Sequence, residues 1–579
     1  MKILLACTSI EDGHRDEVTP DSHYPLGLAY IQSYMEHNRE GKDEFVNLFL
    51  NCVPPEQCFK TLAKQLRTFK PDVLGISIMT HSRLSAFQIV RYCHKHYPDV
   101  KIVIGGMHVS VMWPQLIEEF PYLVACRGEG ERTFHDLICA WEKGESIETI
   151  NGIAYRENGK NVVTPEAKLI DDLDELPFPK HSLFVDENKR LANLLTSRGC
   201  PYKCNFCVLD ALSRRKVRFR TGENIADEVE QLLSDYPNIQ TIWIHDDAFM
   251  INKDRTLDFC EAIIRRGIKT QFIASARFRP INEEVVHKMK EAGFVQVLFG
   301  LETGADPVLK GIKKGISKDD VRYGQKLFSR VGIKATAFLI AGLPGETDDT
   351  IQETIDFIHE IQSINYLFYD DIGMAMIYPG TEMYDIAKAT GKIDDSYWLS
   401  NKGIPYYTTE FGGEHSYDKL VEFKETIREA IALKYLFESD EGFLQQRKLI
   451  PEIIRYATRF PGLAGINNII QHAINASPNF GQSLVNSLLL KTTNEFREEL
   501  CKQVEEIIVN FKLKGRSPDE QAKFLSRLAE QREKDRITME EYTERSRHIT
   551  LETLYPEDVV GVGNLPGISS AGGVEIVEK

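Results

Sequence analysis

The strongest constraint on this chain is a pattern of short apolar runs alternating with amphipathic stretches, interrupted once and then resumed. In the first pass the runs fall at Lys2–Ala6, Phe45–Leu50, Val73–Met79, Ile102–Gly105 and Leu123–Cys126. Helical spacing appears between them near 26–37, 56–69, 83–96 and 112–119. Short strands that alternate with helices predict a parallel, doubly wound sheet. The second pass starts at residue 192. Its strands are expected near Leu194–Thr196, Thr241–Ile244, Phe272–Ala276, Val295–Gly300, Ala335–Ala341 and Ile372–Ile377. Helices are expected near 222–234, 254–266, 282–292, 317–331 and 347–361, the first burying Ile225, Val229, Leu232 and Leu233. Six such units make a partial barrel of the TIM type.

The fold class is thus α/β. A Rossmann-like domain spans 1–150, and the partial (β/α)6 barrel spans 191–415. Between them, 151–190 reads as a hairpin around Glu157-Asn158-Gly159-Lys160, then an acidic, proline-bearing linker through Asp171-Asp172-Leu173-Asp174-Glu175. Residues 416–560 are helix-like and charge-rich, and 561–579 reads as a flexible tail.

The barrel's first unit ends in Ser197-Arg198-Gly199-Cys200-Pro201-Tyr202-Lys203-Cys204-Asn205-Phe206-Cys207. The spacing C-x3-C-x2-C supplies three thiolates, while a [4Fe–4S] cluster ordinarily takes four. Three ligands leave one iron open for chemistry. A Cys3His zinc site is the competing reading, with His245 next along the chain but poorly spaced for it. Disulfides are not expected. The N-terminus is too short for a signal-peptide core, and the 11 cysteines read as reduced thiols.

Polar residues collect where a barrel of this kind keeps its active site, at the carboxyl ends of strands. Asp246 and Asp247 end the second strand, Arg277 the third, and Glu302 and Thr303 the fourth. Gly342-Leu343-Pro344-Gly345-Glu346 ends the fifth, and Tyr378-Pro379-Gly380-Thr381 the sixth. In the first domain the corresponding loops carry Ser77 to Thr80, Gly105-Gly106-Met107-His108 and Arg127-Gly128-Glu129-Gly130-Glu131. Missing side chains at Gly105 and Gly106 let a flat or phosphate-bearing ligand approach the backbone, although Gly-Gly alone also suits a plain turn.

With 70 basic and 86 acidic residues the net charge is −16, which argues against a general nucleic-acid surface. The run Arg214, Arg215, Lys216, Arg218 and Arg220 is a local exception. It reads as a solvated loop, or as a patch beside an anionic ligand. No apolar stretch reaches the roughly 18 residues of a membrane span, and a cytoplasmic location is expected.

Over residues 1–400 the chain resembles the radical S-adenosylmethionine enzymes that carry a cobalamin-binding domain. The cysteine motif, Gly-Gly-x-His, Gly-Glu-Gly-Glu and Pro25-Leu26-Gly27-Leu28 carry that resemblance. It implies three cofactors. A [4Fe–4S] cluster would sit on Cys200, Cys204 and Cys207. S-adenosylmethionine would be held by Phe206, Asp246, Asp247, Arg277, Glu302, Ile340, Gly342 and Tyr378. Cobalamin would lie against Ser77, Thr80, Gly105, Gly106, His108, Gly128 and Glu129. Asp246-Asp247 stands where the family more often has Gly-Gly-Glu. Asp21-Ser22-His23-Tyr24-Pro25-Leu26-Gly27 is one residue too long for the D-x-H-x-x-G motif that supplies an axial histidine, and many members lack that histidine. The implied activity is reductive cleavage of S-adenosylmethionine to a 5′-deoxyadenosyl radical, then hydrogen abstraction and methyl transfer to an unactivated centre. The substrate would be a small molecule, lipid or peptide, and the electron donor an external protein of flavodoxin or ferredoxin type. A non-methylating ring cyclase and a cluster-bearing sensor without turnover are the alternatives.

Overall fold

The computed structural model describes residues 1–10, 24–39, 41–365, 369–438, 509, 512–513 and 516–548. Met1–Ala432 fall in one compact unit, and the described residues from Leu433 onward in a second.

The first sheet comprises β1 (Lys2–Cys7), β2 (Glu44–Phe49), β3 (Val73–Ser77), β4 (Lys101–Gly105), β5 (Leu123–Cys126), β6 (Ile153–Glu157) and β7 (Lys160–Val163). Its order is β2-β1-β3-β4-β5-β6-β7. The first five strands are parallel. The expected hairpin forms as β6 and β7, but it belongs to this sheet, pairing antiparallel beside β5. Helices α1 (Leu26–Arg39), α2 (Pro55–Thr68), α3 (Arg83–His96), α4 (Met107–Glu119) and α5 (Glu131–Lys143) cover the faces. Leu4, Ala6 and Ile76 point into one core, and Ile3, Leu5 and Val73 into the other. Burial on both faces explains why these strands read as unbroken apolar runs. The order reverses between β1 and β3, the switch point where such sheets bind ligands.

Two elements depart from the sequence reading. Helix α4 starts directly after Gly106 and not near residue 112. Helix α5 was not anticipated. It packs Phe134, Leu137 and Ile138 inward and ends on Gly144, whose φ of 68° closes the last turn.

The second sheet holds β8 (Leu191–Leu194), β11 (Thr241–Ile244), β12 (Gln271–Ala276), β13 (Phe294–Glu302), β14 (Lys334–Ala341) and β15 (Tyr369–Met374). They run parallel in the order β15-β14-β13-β12-β11-β8, an open partial barrel. The first and last strands each lie about three residues upstream of their expected positions. A separate two-stranded ribbon, β9 (Ser197–Arg198) with β10 (Arg218–Phe219), follows β8. Between the barrel strands lie α6 (Leu209–Ser213), α7 (Gly222–Asp235), α8 (Lys253–Arg265), α9 (Glu283–Ala292), α10 (Asp306–Gly311), α11 (Lys318–Val331) and α12 (Asp348–Ile364). Helices α13 (Glu382–Ala389), α14 (Tyr417–Glu438) and α15 (Pro518–His548) follow. Much of the predicted helical region 416–560, and all of the predicted tail 561–579, lies outside the described residues.

The first sheet and the barrel share one apolar core. It runs from Leu4 and Ile76 through Phe87 and Ile117 to Leu343, Met383 and Trp398. Arg83, fully buried, fastens the same join by donating to the carbonyls of Thr80 (3.0 Å), Trp398 (3.2 Å) and Lys402. Trp398→Ala is expected to destabilise this unit by about 3–5 kcal/mol, read as a lower urea midpoint in circular dichroism. An unchanged midpoint would contradict a core shared across the join.

Candidate active site

Residues 195–207 leave β8 as a loop held by two carboxylates at the end of β11. Asp246 is buried and accepts from the Thr196 and Ser197 amides at 2.7 and 3.0 Å and from their hydroxyls at 2.5 and 2.6 Å. Arg255 approaches it at 3.3 Å. These bonds occupy Asp246, so its expected contact with S-adenosylmethionine gives way to a bracing role. Asp247 accepts from the Gly199 amide at 3.1 Å, and burial raises its carboxyl to about 6.

Gly199 has φ 99°, and a Cβ there would stand 2.2 Å from the Lys216 carbonyl oxygen. Only glycine fits beneath that carbonyl. Cys200 is buried, while Cys204 and Cys207 are half-buried, and the Cys207 amide closes a turn onto the Cys204 carbonyl at 3.1 Å. Burial raises the Cys200 thiol and pushes Cys207 up to about 11. A cationic metal centre reverses that preference, because it binds thiolates. Among the described residues no three His, Cys, Asp or Glu side chains converge on a single ion. A cubane instead spreads its thiolates over separate irons.

Arg277 braces the loop from β12. Its guanidinium lies 3.7 Å from the Tyr202 ring centre, donates to Cys204 Sγ at 3.6 Å and donates to the Lys314 carbonyl. These contacts set Arg277 directly against the cysteine loop. Glu302 is buried at the end of β13 with φ 70° and is ion-paired to Lys314, whose ammonium lies 5.8 Å from the Phe206 ring centre. A side chain at Gly300 would strike both partners of that pair. Ile340 is half-buried on β14. Gly342 has φ 89° and follows directly. Its amide and that of Leu343 donate to Glu346 at 2.6 and 3.2 Å. Tyr378 reaches across to the first domain, with its hydroxyl 3.0 Å from His81 Nε2, so it joins the domains.

The first domain contributes a cavity of about 240 Å³ at the switch point. Gly27, Gly75, Gly105, Gly106, Gly128 and Gly130 line it, with Ser77, Tyr30, Phe134, Glu129, Glu131 and Arg198. A Cβ on Gly106 would sit 2.7 Å from the Ile78 carbonyl, and one on Gly130 3.1 Å from Ile31. The volume is below the roughly 300–1,000 Å³ of clefts that enclose whole drug-sized ligands. It suits the flat tail of a larger ligand. Thr80 and His108 do not line it. They pair at 3.2 Å, with His108 packed against Phe87 and Trp398. Burial and the Arg83 charge hold His108 neutral, its pKa near 3. The early start of α4 turns His108 into the core. His23 lies outside the described residues.

The Gly-Glu-Gly-Glu loop meets the cysteine loop directly. Arg198 binds Glu129 at 3.1 Å and Glu131 at 2.7 Å, and Arg218 binds Glu129 at 2.8 Å. The basic run is neutralised by carboxylates: Arg214 by Glu166, Lys216 by Asp171, Arg220 by Glu228. A patch awaiting an anionic ligand is therefore replaced by pairing with acidic neighbours, two of them in the connector. Lys314 was missed in the sequence, while Arg198 and Glu346 stood inside quoted runs without a role of their own. Gly300, two residues before Glu302, was the available signal for Lys314.

Residues 194–358 match the model of the radical SAM superfamily, and 17–138 match that of the B12 binding domain. The chain is 30% identical over 461 residues to an uncharacterised methyltransferase of Pyrococcus horikoshii, covering 78% of this chain and 97% of that protein. It belongs to the radical SAM superfamily, among the members with a B12-binding domain. This radical SAM chain is also 29% identical to the anaerobic magnesium-protoporphyrin IX monomethyl ester cyclase of Rubrivivax gelatinosus, over 57% of itself and 61% of the cyclase. The fold matches the cobalamin-dependent S-adenosylmethionine radical enzyme OxsB, solved with aqua-cobalamin and S-adenosylmethionine, at a TM-score of 0.61 and 19% identity, over 92% of this chain and 80% of that one. The cofactors of this radical SAM enzyme are a [4Fe–4S] cluster, S-adenosylmethionine and cobalamin.

Gly199→Ala is expected to lose most of the iron and sulfide that anaerobic reconstitution installs, with far-UV circular dichroism unchanged. Full cluster content would show that the backbone at Lys216 yields. A second expectation concerns pH. Burial lifts the Glu346 carboxyl to about 8. The native state therefore keeps a proton that the unfolded chain releases near its ordinary value. Stability from this group is complete below that value and is lost as pH rises through about 8. Glu346→Gln should flatten the fall in urea midpoint between about pH 5 and 8. Parallel curves for the two proteins would contradict the assignment.

Proposed function

We propose that this enzyme transfers a methyl group to an unactivated carbon or phosphorus centre of a small-molecule, lipid or peptide substrate. The observation that carries the reading is the joining of Glu129 and Glu131, in the wall of the glycine-lined cavity, to Arg198 beside the cysteine loop. Such a join brings a corrinoid site and a cluster site to one mouth. The Pyrococcus relative, matched over nearly all its length, is named a methyltransferase.

In this reading Cys200, Cys204 and Cys207 hold the cluster. Asp247 faces the amino group of S-adenosylmethionine, its carboxyl near 6 leaving it charged at neutral pH. Phe206, Ile340 and Gly342 border the adenine, and Glu302 with Lys314 borders the ribose. Ser77, Gly105, Gly106, Gly128 and Glu129 receive cobalamin. When bound, the cluster supplies the electron that cleaves S-adenosylmethionine to a 5′-deoxyadenosyl radical, and cobalamin carries the methyl group. The electron comes from an external flavodoxin- or ferredoxin-type donor. Among the described residues no helix is long and apolar enough to cross a membrane, and we place the enzyme in the cytoplasm.

The Rubrivivax relative favours a second reading, radical ring closure without methylation. Methyl-labelled S-adenosylmethionine separates the two in anaerobic turnover against pooled cell metabolites. Label is expected in a product other than S-adenosylmethionine, together with 5′-deoxyadenosine. Formation of 5′-deoxyadenosine with no label transferred would sink the methylase reading.

A further inference from the structure

Among the described residues that line the first-domain cavity Arg198 is the only cation, yet it belongs to the cysteine loop. It lies two positions before Cys200. Its guanidinium is 5.0 Å from the Tyr30 ring centre and bonds to Glu129 and Glu131. All three partners line the same cavity.

The backbone on either side of Arg198 is fixed from within the barrel. Asp246 grips the amides of Thr196 and Ser197, and Asp247 grips the amide of Gly199. Gly199 is also packed beneath the Lys216 carbonyl. A shift of the Arg198 side chain therefore cannot be absorbed by slack in its own strand. It is transmitted to the residue that precedes Cys200. Ordering the cysteines around a metal would in turn steady Gly199, and with it the position from which Arg198 reaches the cavity.

We propose that Arg198 is a positioning residue that couples the two cofactor sites: a formed cluster tightens corrinoid binding, and a bound corrinoid protects the cluster. The proposal rests on the cavity receiving part of the corrinoid. Coupling between two binding events is reciprocal, so one factor governs both directions.

The test uses the full chain and hydroxocobalamin, in cluster-loaded and cluster-free forms, with binding followed by absorption. Cluster-free protein is expected to bind hydroxocobalamin at least about fivefold more weakly, the lower end of ordinary coupling. Arg198→Met should bind equally in both forms, and Arg198→Lys should restore part of the difference. In the reciprocal measurement, hydroxocobalamin should slow removal of iron by a chelator in the wild type but not in Arg198→Met. The comparison of the two wild-type forms needs no variant to fold. Equal corrinoid affinity with and without the cluster would overturn the coupling while leaving the cavity's role intact. No corrinoid binding in either form would overturn the reading of the cavity, and the coupling with it.

Discussion

The paired carboxylates of Glu129 and Glu131 against Arg198 and Arg218 fix how the first domain meets the barrel. These groups are mostly or fully withdrawn from solvent. Bringing charges out of water costs several kcal/mol each, and their mutual attraction roughly offsets that cost. The network thus adds little net stability. Its consequence is register: any other placement of the Gly-Glu-Gly-Glu loop would leave a buried charge without a partner, at a cost of about 3–5 kcal/mol. Stability comes instead from the continuous apolar core that passes from the first sheet to Trp398 and Met383.

The connector serves the same purpose on the outer side. Its acidic residues meet the basic run after the cysteines, with Asp171 on Lys216 and Asp174 on the amide and hydroxyl of Thr221. Lys180 binds Glu36 of α1, and the neighbouring His181 binds Glu228 of α7 at 2.7 Å. A segment with little regular structure is thereby stitched to both domains. Local pairing with carboxylates, as of Arg214, Lys216, Arg218 and Arg220, explains how a run of five cations is accommodated on a chain of net charge −16.

The element order of both sheets was legible because parallel strands buried on two faces leave unbroken apolar runs in sequence. The cysteine spacing and the glycine-bearing loops were legible for a related reason, since backbone approach and metal ligation tolerate few residue types. Helix α5 keeps the same signal, with Phe134, Leu137, Ile138 and Trp141 at helical spacing and His135, Asp136 and Cys139 off that face, so it was legible and went unread. The hairpin was read correctly, but its membership of the first sheet depends on pairing with β5, which local sequence does not encode. Asp246, Arg277, Thr80 and His108 were assigned to ligands because the family resemblance implies ligands at those strand ends. Their partners come from distant parts of the chain, and tertiary contacts claim them first. A carboxylate at a strand end looks the same in sequence whether it meets a cofactor or, like Asp246, the next strand's amides.

The account stands on one chain holding both a cluster and a corrinoid at a shared mouth. The most direct measurement is the absorption spectrum and metal content of protein purified anaerobically from cells supplied with cobalamin. The account predicts corrinoid bands retained through purification together with one cobalt and about four irons per chain. Iron without retained cobalt, in protein that also fails to take up added cobalamin, would contradict it.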